Sequence, residues 1–273
     1  MRGVVMYSAG DVRVEEREDP KIIESTDAII KLAATCICGS DLWPYRGIQP
    51  ANHQVMGHEY VGVVEEIGPD VKTMKVGDFV VGSFVISDNT CEICQAGYQS
   101  SCVHREFVAE TVGTQSEKAR IPYADGTLVV TPSQPDPELI PSLLAASDVL
   151  GTGWFAAVAA EAGPGKTVVV IGDGAVGLMG VLAAKQLGSE RIIAMSRHPE
   201  RQKHTVIVTR HGVPERRAED QRQQAVQPDA HERARQRPAR VGVAPDPEDL
   251  FAPRDADVAW LFFIRHGCLL VKG

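Results

Sequence analysis

The feature that most limits the fold is a glycine-punctuated junction in the second half of the chain. Lys166-Thr-Val-Val-Val-Ile is a continuous apolar run of the kind a strand buried on both faces carries. It ends in Gly172-Asp-Gly174-Ala-Val-Gly177 and passes directly into an apolar helical pattern that reaches Gly188. A second strand pattern, Arg191-Ile-Ile-Ala-Met-Ser196, follows. Strand, helix and strand within about 30 residues predict a parallel βαβ unit, since parallel strands need a crossover between them. Alone, G-x-G-x-x-G is weak, because glycines mark turns everywhere. At a strand-to-helix junction the three glycines have separate roles. Gly172 turns the chain, Gly174 lets backbone approach a pyrophosphate, and Gly177 lets helix pack on strand. The phosphates then meet the positive end of the helix. A plain tight turn is the alternative.

At the end of the second strand an NAD site places Asp or Glu on the ribose 2′-hydroxyl. This chain offers Ser196 and Arg197, with Arg201 one helical turn beyond. A guanidinium there pairs with a 2′-phosphate through charge-assisted bonds, so NADP(H) is expected in preference to NAD(H). Two solvated arginines at a helix start are the plainer reading.

The first half reads differently. Short β-type runs such as Asp27-Ala-Ile-Ile-Lys-Leu-Ala33, Tyr60-Val-Gly-Val-Val-Glu-Glu-Ile-Gly68 and Val76-Gly-Asp-Phe-Val-Val-Gly-Ser-Phe-Val85 alternate with Gly, Pro, Asp and Asn. Runs this short and frequent predict an antiparallel barrel or sandwich. A Pro-rich joint, Thr131-Pro-Ser-Gln-Pro-Asp-Pro137, separates it from a helical stretch over 138–162 interrupted at Gly151-Thr-Gly153. With 273 residues the chain has room for about two domains. They are expected at 1–130 and 138–203.

Beyond residue 203 the patterning fails. From Pro214 to Arg240 the one apolar residue larger than alanine, prolines aside, is Val226, and no lysine occurs between Lys203 and Lys272. Residues 1–196 carry 14 Lys/Arg against 25 Asp/Glu, whereas 197–273 carry 14 against 11. Such a stretch buries too little apolar surface to offset its ordering entropy, so 204–273 is expected to be an unassigned, poorly ordered Arg/Pro-rich tail. Its arginines alternate with acids and lack aromatic partners, which argues against nucleic acid. No apolar run nears the 18 residues of a membrane span, and the start, Met-Arg-Gly-Val-Val-Met-Tyr7, lacks a signal-peptide core. A cytoplasmic protein is expected.

Six cysteines stand at 36, 38, 91, 94, 102 and 268. Three within twelve residues, in a chain without an export signal, favour metal or catalysis over disulfides. Asp88, Cys91, Cys94 and Cys102 have the spacing of a structural zinc lobe in a Gly- and Ser-rich loop, with Asp in the first position. An empty, reduced lobe is the alternative. Cys38-Gly-Ser40-Asp41 and Gly57-His58-Glu59 supply thiolate, imidazole and carboxylate, a borderline-soft set suited to zinc. Taken singly, Cys38 reads as a small buried hydrophobe and His58 as a satisfied core histidine. With Asp148 they read together as ligands.

In this order, these motifs resemble the zinc-dependent medium-chain alcohol dehydrogenases. The resemblance runs from about Arg2 to Lys203. It implies a GroES-like β-barrel domain followed by a Rossmann-type parallel sheet domain, here incomplete. It implies Cys38, His58 and Asp148 as catalytic-zinc ligands, with Glu59 an alternate ligand that exchanges with water or substrate. Ser40 would relay the alcohol proton, Asp41 would hold the His58 ring, and Thr152 would lie beside the nicotinamide. Trp43, standing where some relatives have a relay histidine, would wall a cleft for a small alcohol, aldehyde or ketone; ordinary core packing is its alternative role. A homo-oligomer is usual for the family.

The implied reaction is hydride transfer between an alcohol/carbonyl pair and NADP(H). Two rival readings are an inactive remnant that binds zinc but not cofactor, and a zinc-free reductase on the same architecture. Because the resemblance stops where composition turns Arg-rich, a frame shift giving a truncated chain is expected, with a genuine novel tail as the alternative.

Overall fold

The computed structural model describes residues 1–196 and Pro199, together with the backbone of strands at Val208–Thr209, Val258–Ile264 and Gly267–Val271. The chain divides into two compact units, Met1–Gly151 and Thr152–Gly273.

The first unit is mostly β. In chain order its strands begin with β1 (Arg2–Ser8), β2 (Asp11–Glu16), β3 (Ala28–Thr35), β4 (Gln54–Val55) and β5 (Tyr60–Ile67). They continue with β6 (Phe79–Gly82), β7 (Val85–Ile86), β8 (Glu106–Phe107), β9 (Lys118–Ile121) and β10 (Leu128–Val130). A five-stranded antiparallel sheet runs in the order β10-β6-β5-β3-β9, flanked by a three-stranded sheet β2-β1-β4 and the pair β7-β8. This is the antiparallel β domain expected from the short, closely spaced runs.

The core gathers the inward Val and Ile of these strands, with Ile30, Val64, Val80, Ile86 and Ile121 all nearly inaccessible. Burial of one face pins the register, because a one-residue slip would turn every such side chain to water. Tyr60 is fully buried, and its hydroxyl donates to the Ser83 carbonyl at 3.2 Å. Asp27, equally buried, accepts from Arg120 Nε at 2.6 Å and from the N–H groups of Ile23 and Glu24. That buried charge is fully partnered, which makes it tolerable and ties the approach to β3 onto β9.

Four single-turn helices punctuate the strands: α1 (Leu42–Tyr45), α2 (Glu92–Gln95), α3 (Val108–Thr111) and α4 (Ala124–Thr127). After the Pro-rich joint, α5 (Ile140–Ala145) packs on β3 and β5. Residues 138–151, expected with the second domain, therefore cluster with the first.

The second unit opens within α6 (Val149–Ala159) and continues through β11 (Thr167–Ile171), α7 (Ala175–Gln186) and β12 (Arg191–Met195). β11 and β12 are parallel, paired from Thr167 with Arg191 to Ile171 with Met195. The βαβ unit stands where the glycine junction places it. Small residues let the two helices touch: a Cβ on Gly153 would lie 2.6 Å from the Gly180 nitrogen. Ala156, Ala160, Ala184, Val168, Val170 and Ile192 form the core between helices and sheet.

Most of the expected tail over 204–273 lies outside the described residues. Within it, β13 (Val208–Thr209) pairs antiparallel with β12, and β14 (Val258–Ile264) runs parallel to β11. β15 (Gly267–Val271) returns antiparallel to β14. The sheet order is β13-β12-β11-β14-β15, three parallel strands with antiparallel edges. Among the described residues no single helix is long and apolar enough to cross a membrane.

Candidate active site and metal centres

The last pair of the β3–β5 ladder is Thr35 with Tyr60, so Cys36-Ile37-Cys38 and Gly57-His58-Glu59 leave the sheet side by side. Gly57 has φ +94°, and a Cβ there would lie 2.6 Å from the Gln115 nitrogen, so only glycine makes this approach to His58. Cys38 precedes a 3₁₀ turn over Gly39–Asp41, and its N–H donates to Asp41 Oδ2 at 2.8 Å. Asp148 follows α5, the helix that packs on β3 and β5.

The outcome is a cluster of four. One donor atom each from Cys38, His58, Glu59 and Asp148 lies within 4.8 Å of the others. His58 Nε2 is 3.5 Å and Cys38 Sγ 3.9 Å from Asp148 Oδ2. Around a tetrahedral zinc the corresponding N···O and S···O edges are about 3.4 and 3.6 Å. These two edges are thus within about 0.3 Å of what one shared ion requires.

Electrostatics point the same way. Burial raises the Glu59 and Asp41 carboxyls above their ordinary range. At His58 burial opposes the charged form, but Asp148 and Cys38 outweigh it and push the ring up to about 10. A buried surplus of negative charge is paired with a cation or not ionised at all. Glu59 Oε1 and His58 Nδ1 are both buried without a hydrogen-bond partner among the described residues. Thiol, imidazole, two carboxylates and an orphaned carboxylate oxygen together fit a divalent, zinc-like ion.

Asp41, expected to hold the ring, lies beside it, with Oδ1 3.6 Å from His58 Nδ1. That separation exceeds hydrogen-bond length. Ser40 lies in the same turn and is half-buried, as is Trp43 in α1.

The second cluster is local. Donor atoms of Asp88, Cys91, Cys94 and Cys102 also lie within 4.8 Å of one another. Cys91 caps α2, its sulfur accepting from the Cys94 N–H at 3.5 Å, and the Cys102 sulfur accepts from Asp88 and His104 N–H groups. N–H groups aimed at sulfur favour thiolate, and the Val103 and Cys94 N–H groups hold the Cys91 thiol below its ordinary value. Burial, with Cys91, Cys102 and Asp88 adding to it, pushes Cys94 up to about 12. Burial works against the Asp88 carboxylate, but the N–H groups of Thr90 and Cys91, together with His104, win and keep it far below the usual range. All five described cysteines are unpaired.

In the second unit Gly174 caps α7, and a Cβ there would meet nothing within 4 Å among the described residues. Gly177 is the opposite: a Cβ would lie 2.1 Å from the Gly172 carbonyl oxygen. Gly172 itself has φ +114°. Such a cradle fits a pyrophosphate. Thr152 lies in α6, and Ser196 follows β12. Arg197 and Arg201 lie outside the described residues.

Two residues beside the clusters went unassigned in the sequence. His104 Nδ1 lies 2.7 Å from Asp88 Oδ2. The Cys36 thiol contacts Glu59 Oε2, and burial followed by that carboxylate pushes it up to about 12. The signal for Cys36 was its i−2 spacing from Cys38, which puts both thiols on one side of extended chain.

The alcohol dehydrogenase GroES-like domain family matches residues 24–133. Zinc-type alcohol dehydrogenase B of Aspergillus flavus is 39% identical over 210 residues, covering 74% of this chain and 48% of that protein. The medium chain reductase/dehydrogenase ucsI of Acremonium is 35% identical over 205 residues, covering 71% of this chain and 69% of that protein. The chain belongs to the zinc-dependent medium-chain alcohol dehydrogenase family. A family structure, alcohol dehydrogenase TADH from Thermus sp. ATN1, matches with TM-score 0.68 and 34% identity, covering 74% of this chain and 60% of that one. A GroES-like domain followed by a Rossmann-type domain is thus the fold of this family member. It spans between about half and two thirds of the length of these relatives.

Proposed function

We propose that this chain is a zinc-dependent oxidoreductase that interconverts a small alcohol and its aldehyde or ketone by hydride transfer with NADP(H). The convergence of Cys38, His58, Glu59 and Asp148 around a buried, unpartnered carboxylate oxygen carries the reading. Cys38, His58 and Asp148 would hold the catalytic zinc, with Glu59 the exchangeable fourth ligand. When bound, that zinc supplies a Lewis acid that makes an alcohol proton acidic near neutral pH.

The other roles belong to the chain itself. Ser40, half-buried one residue before Asp41, takes the substrate proton and passes it to water, since Trp43 offers no further base. Asp41 anchors the Cys38 backbone and flanks the His58 ring. Trp43 gives the substrate an apolar wall. Gly172, Gly174 and Gly177 seat the cofactor pyrophosphate on α7, Thr152 sits beside the nicotinamide, and Ser196, Arg197 and Arg201 take the 2′-phosphate. Asp88, Cys91, Cys94 and Cys102 would hold a second, structural zinc.

Zinc content and NADPH fluorescence on the purified chain test this. Two zincs per chain with NADPH bound more tightly than NADH is the expected result. Zinc without cofactor binding would mean an inactive remnant, and no zinc a metal-free reductase. Cys38→Ser should abolish turnover and halve the zinc content.

A further inference from the structure

We propose that Cys36 is a positioning residue that orients Glu59 toward the metal centre. The inference rests on the reading that Cys38, His58 and Asp148 hold a divalent metal. Thr35 pairs with Tyr60 across the antiparallel ladder, so the next residue outward, Cys36, comes opposite Glu59. Both backbones are clamped there. Thr35 Oγ1 donates to the Glu59 carbonyl at 2.9 Å, and Gln115 Nε2 donates to the Cys36 carbonyl at 3.2 Å. Sheet register therefore fixes the pair before any side-chain contact is considered.

The Cys36 thiol then donates to Glu59 Oε2. The other oxygen, Oε1, is buried with no partner among the described residues, while Glu59 as a whole is 4% exposed. A carboxylate held by one oxygen has only the other to offer a metal. By holding Oε2, the thiol keeps Oε1 in one orientation, so Glu59 would meet a metal as an already ordered ligand. Cys36 thus acts on the centre through Glu59 and is not itself a ligand: the four donor atoms that share the 4.8 Å cluster do not include its sulfur.

Cobalt(II) titrated into the metal-free full chain provides the test. The part of the visible and near-ultraviolet cobalt spectrum that Cys38→Ser removes isolates this centre from the Asp88 lobe. Cys36→Ala is expected to weaken cobalt binding there by about 10-fold and shift its visible bands, whereas Cys36→Ser, which keeps a donor, stays close to wild type. In a Glu59→Gln background the Cys36→Ala effect should vanish, as coupled residues require. Circular dichroism and thermal midpoints identify any variant that fails to fold, and the Cys36→Ser comparison then carries the test.

Three results would overturn the proposal. One is wild-type cobalt affinity in Cys36→Ala, and another is an undiminished effect without Glu59. The third is loss of sulfur-to-cobalt absorption in Cys36→Ser, which would make Cys36 a ligand. Failure of the wild-type chain to take cobalt at this centre would sink the metal reading itself, and this inference with it.

Discussion

Asp148 illustrates how much one side chain settles at the centre. It lies within reach of both His58 Nε2 and Cys38 Sγ, so its carboxylate joins the two halves of the ligand set. Asp148→Asn should lower zinc affinity at this centre at least 10-fold while leaving the Asp88 lobe loaded, read as zinc per chain falling from two toward one. In α4, Asp125 accepts N–H groups from Lys72 and Thr73 and the Thr73 hydroxyl at 2.6 Å. Partial burial disfavours its charge, but those donors prevail and its carboxyl sits below its ordinary value. A depressed carboxyl contributes stability above its unfolded pKa and loses it as pH falls through the folded one. Asp125→Asn should therefore cost about 1 kcal/mol at pH 7, after discounting for solvent. Thermal midpoints should show the two proteins converging below about pH 4.

The glycine junction shows what an element demands of its sequence. β11 ends, the chain turns at Gly172 with φ +114°, and α7 starts so close that Gly177 presses on the Gly172 carbonyl. A methyl at Gly177 has no space, so Gly177→Ala should destabilise the chain by about 1–3 kcal/mol through overpacking. It should also weaken NADPH binding about 10-fold, because the helix N-terminus can no longer sit against the strand end. Denaturant midpoints and fluorescence titration measure both, and unchanged cofactor binding would remove the pyrophosphate role from this loop.

At the scale of the molecule, the candidate sites fall in different units. Both ligand clusters lie within Met1–Gly151, whereas the glycine cradle lies within Thr152–Gly273. A ligand stabilises the part that binds it, by about 2.7 kcal/mol at 100 times its Kd. Chelation should accordingly lower the calorimetric midpoint of the chain, and NADPH should raise it. A midpoint unmoved by chelation, or unmoved by NADPH, would remove the corresponding site.

Some of this could be read directly from the residues because the chemistry is local. Asp88, Cys91, Cys94 and Cys102 sit in one short loop, so their spacing alone brings them together. The βαβ unit is likewise contiguous, and its glycines announce their own turn. Cys38, His58, Glu59 and Asp148 were named from residue type together with the family resemblance, but no spacing could show that they meet, since Asp148 stands 110 positions after Cys38. Register between β3 and β5 and the packing of α5 on that sheet bring them together. The same register exposed Cys36 as Glu59's neighbour, and α5 moved residues 138–151 to the first unit. Composition and periodicity determine which chemistry a chain carries and where its elements begin. Which distant side chains share one small volume is decided only when buried apolar faces select a single pairing.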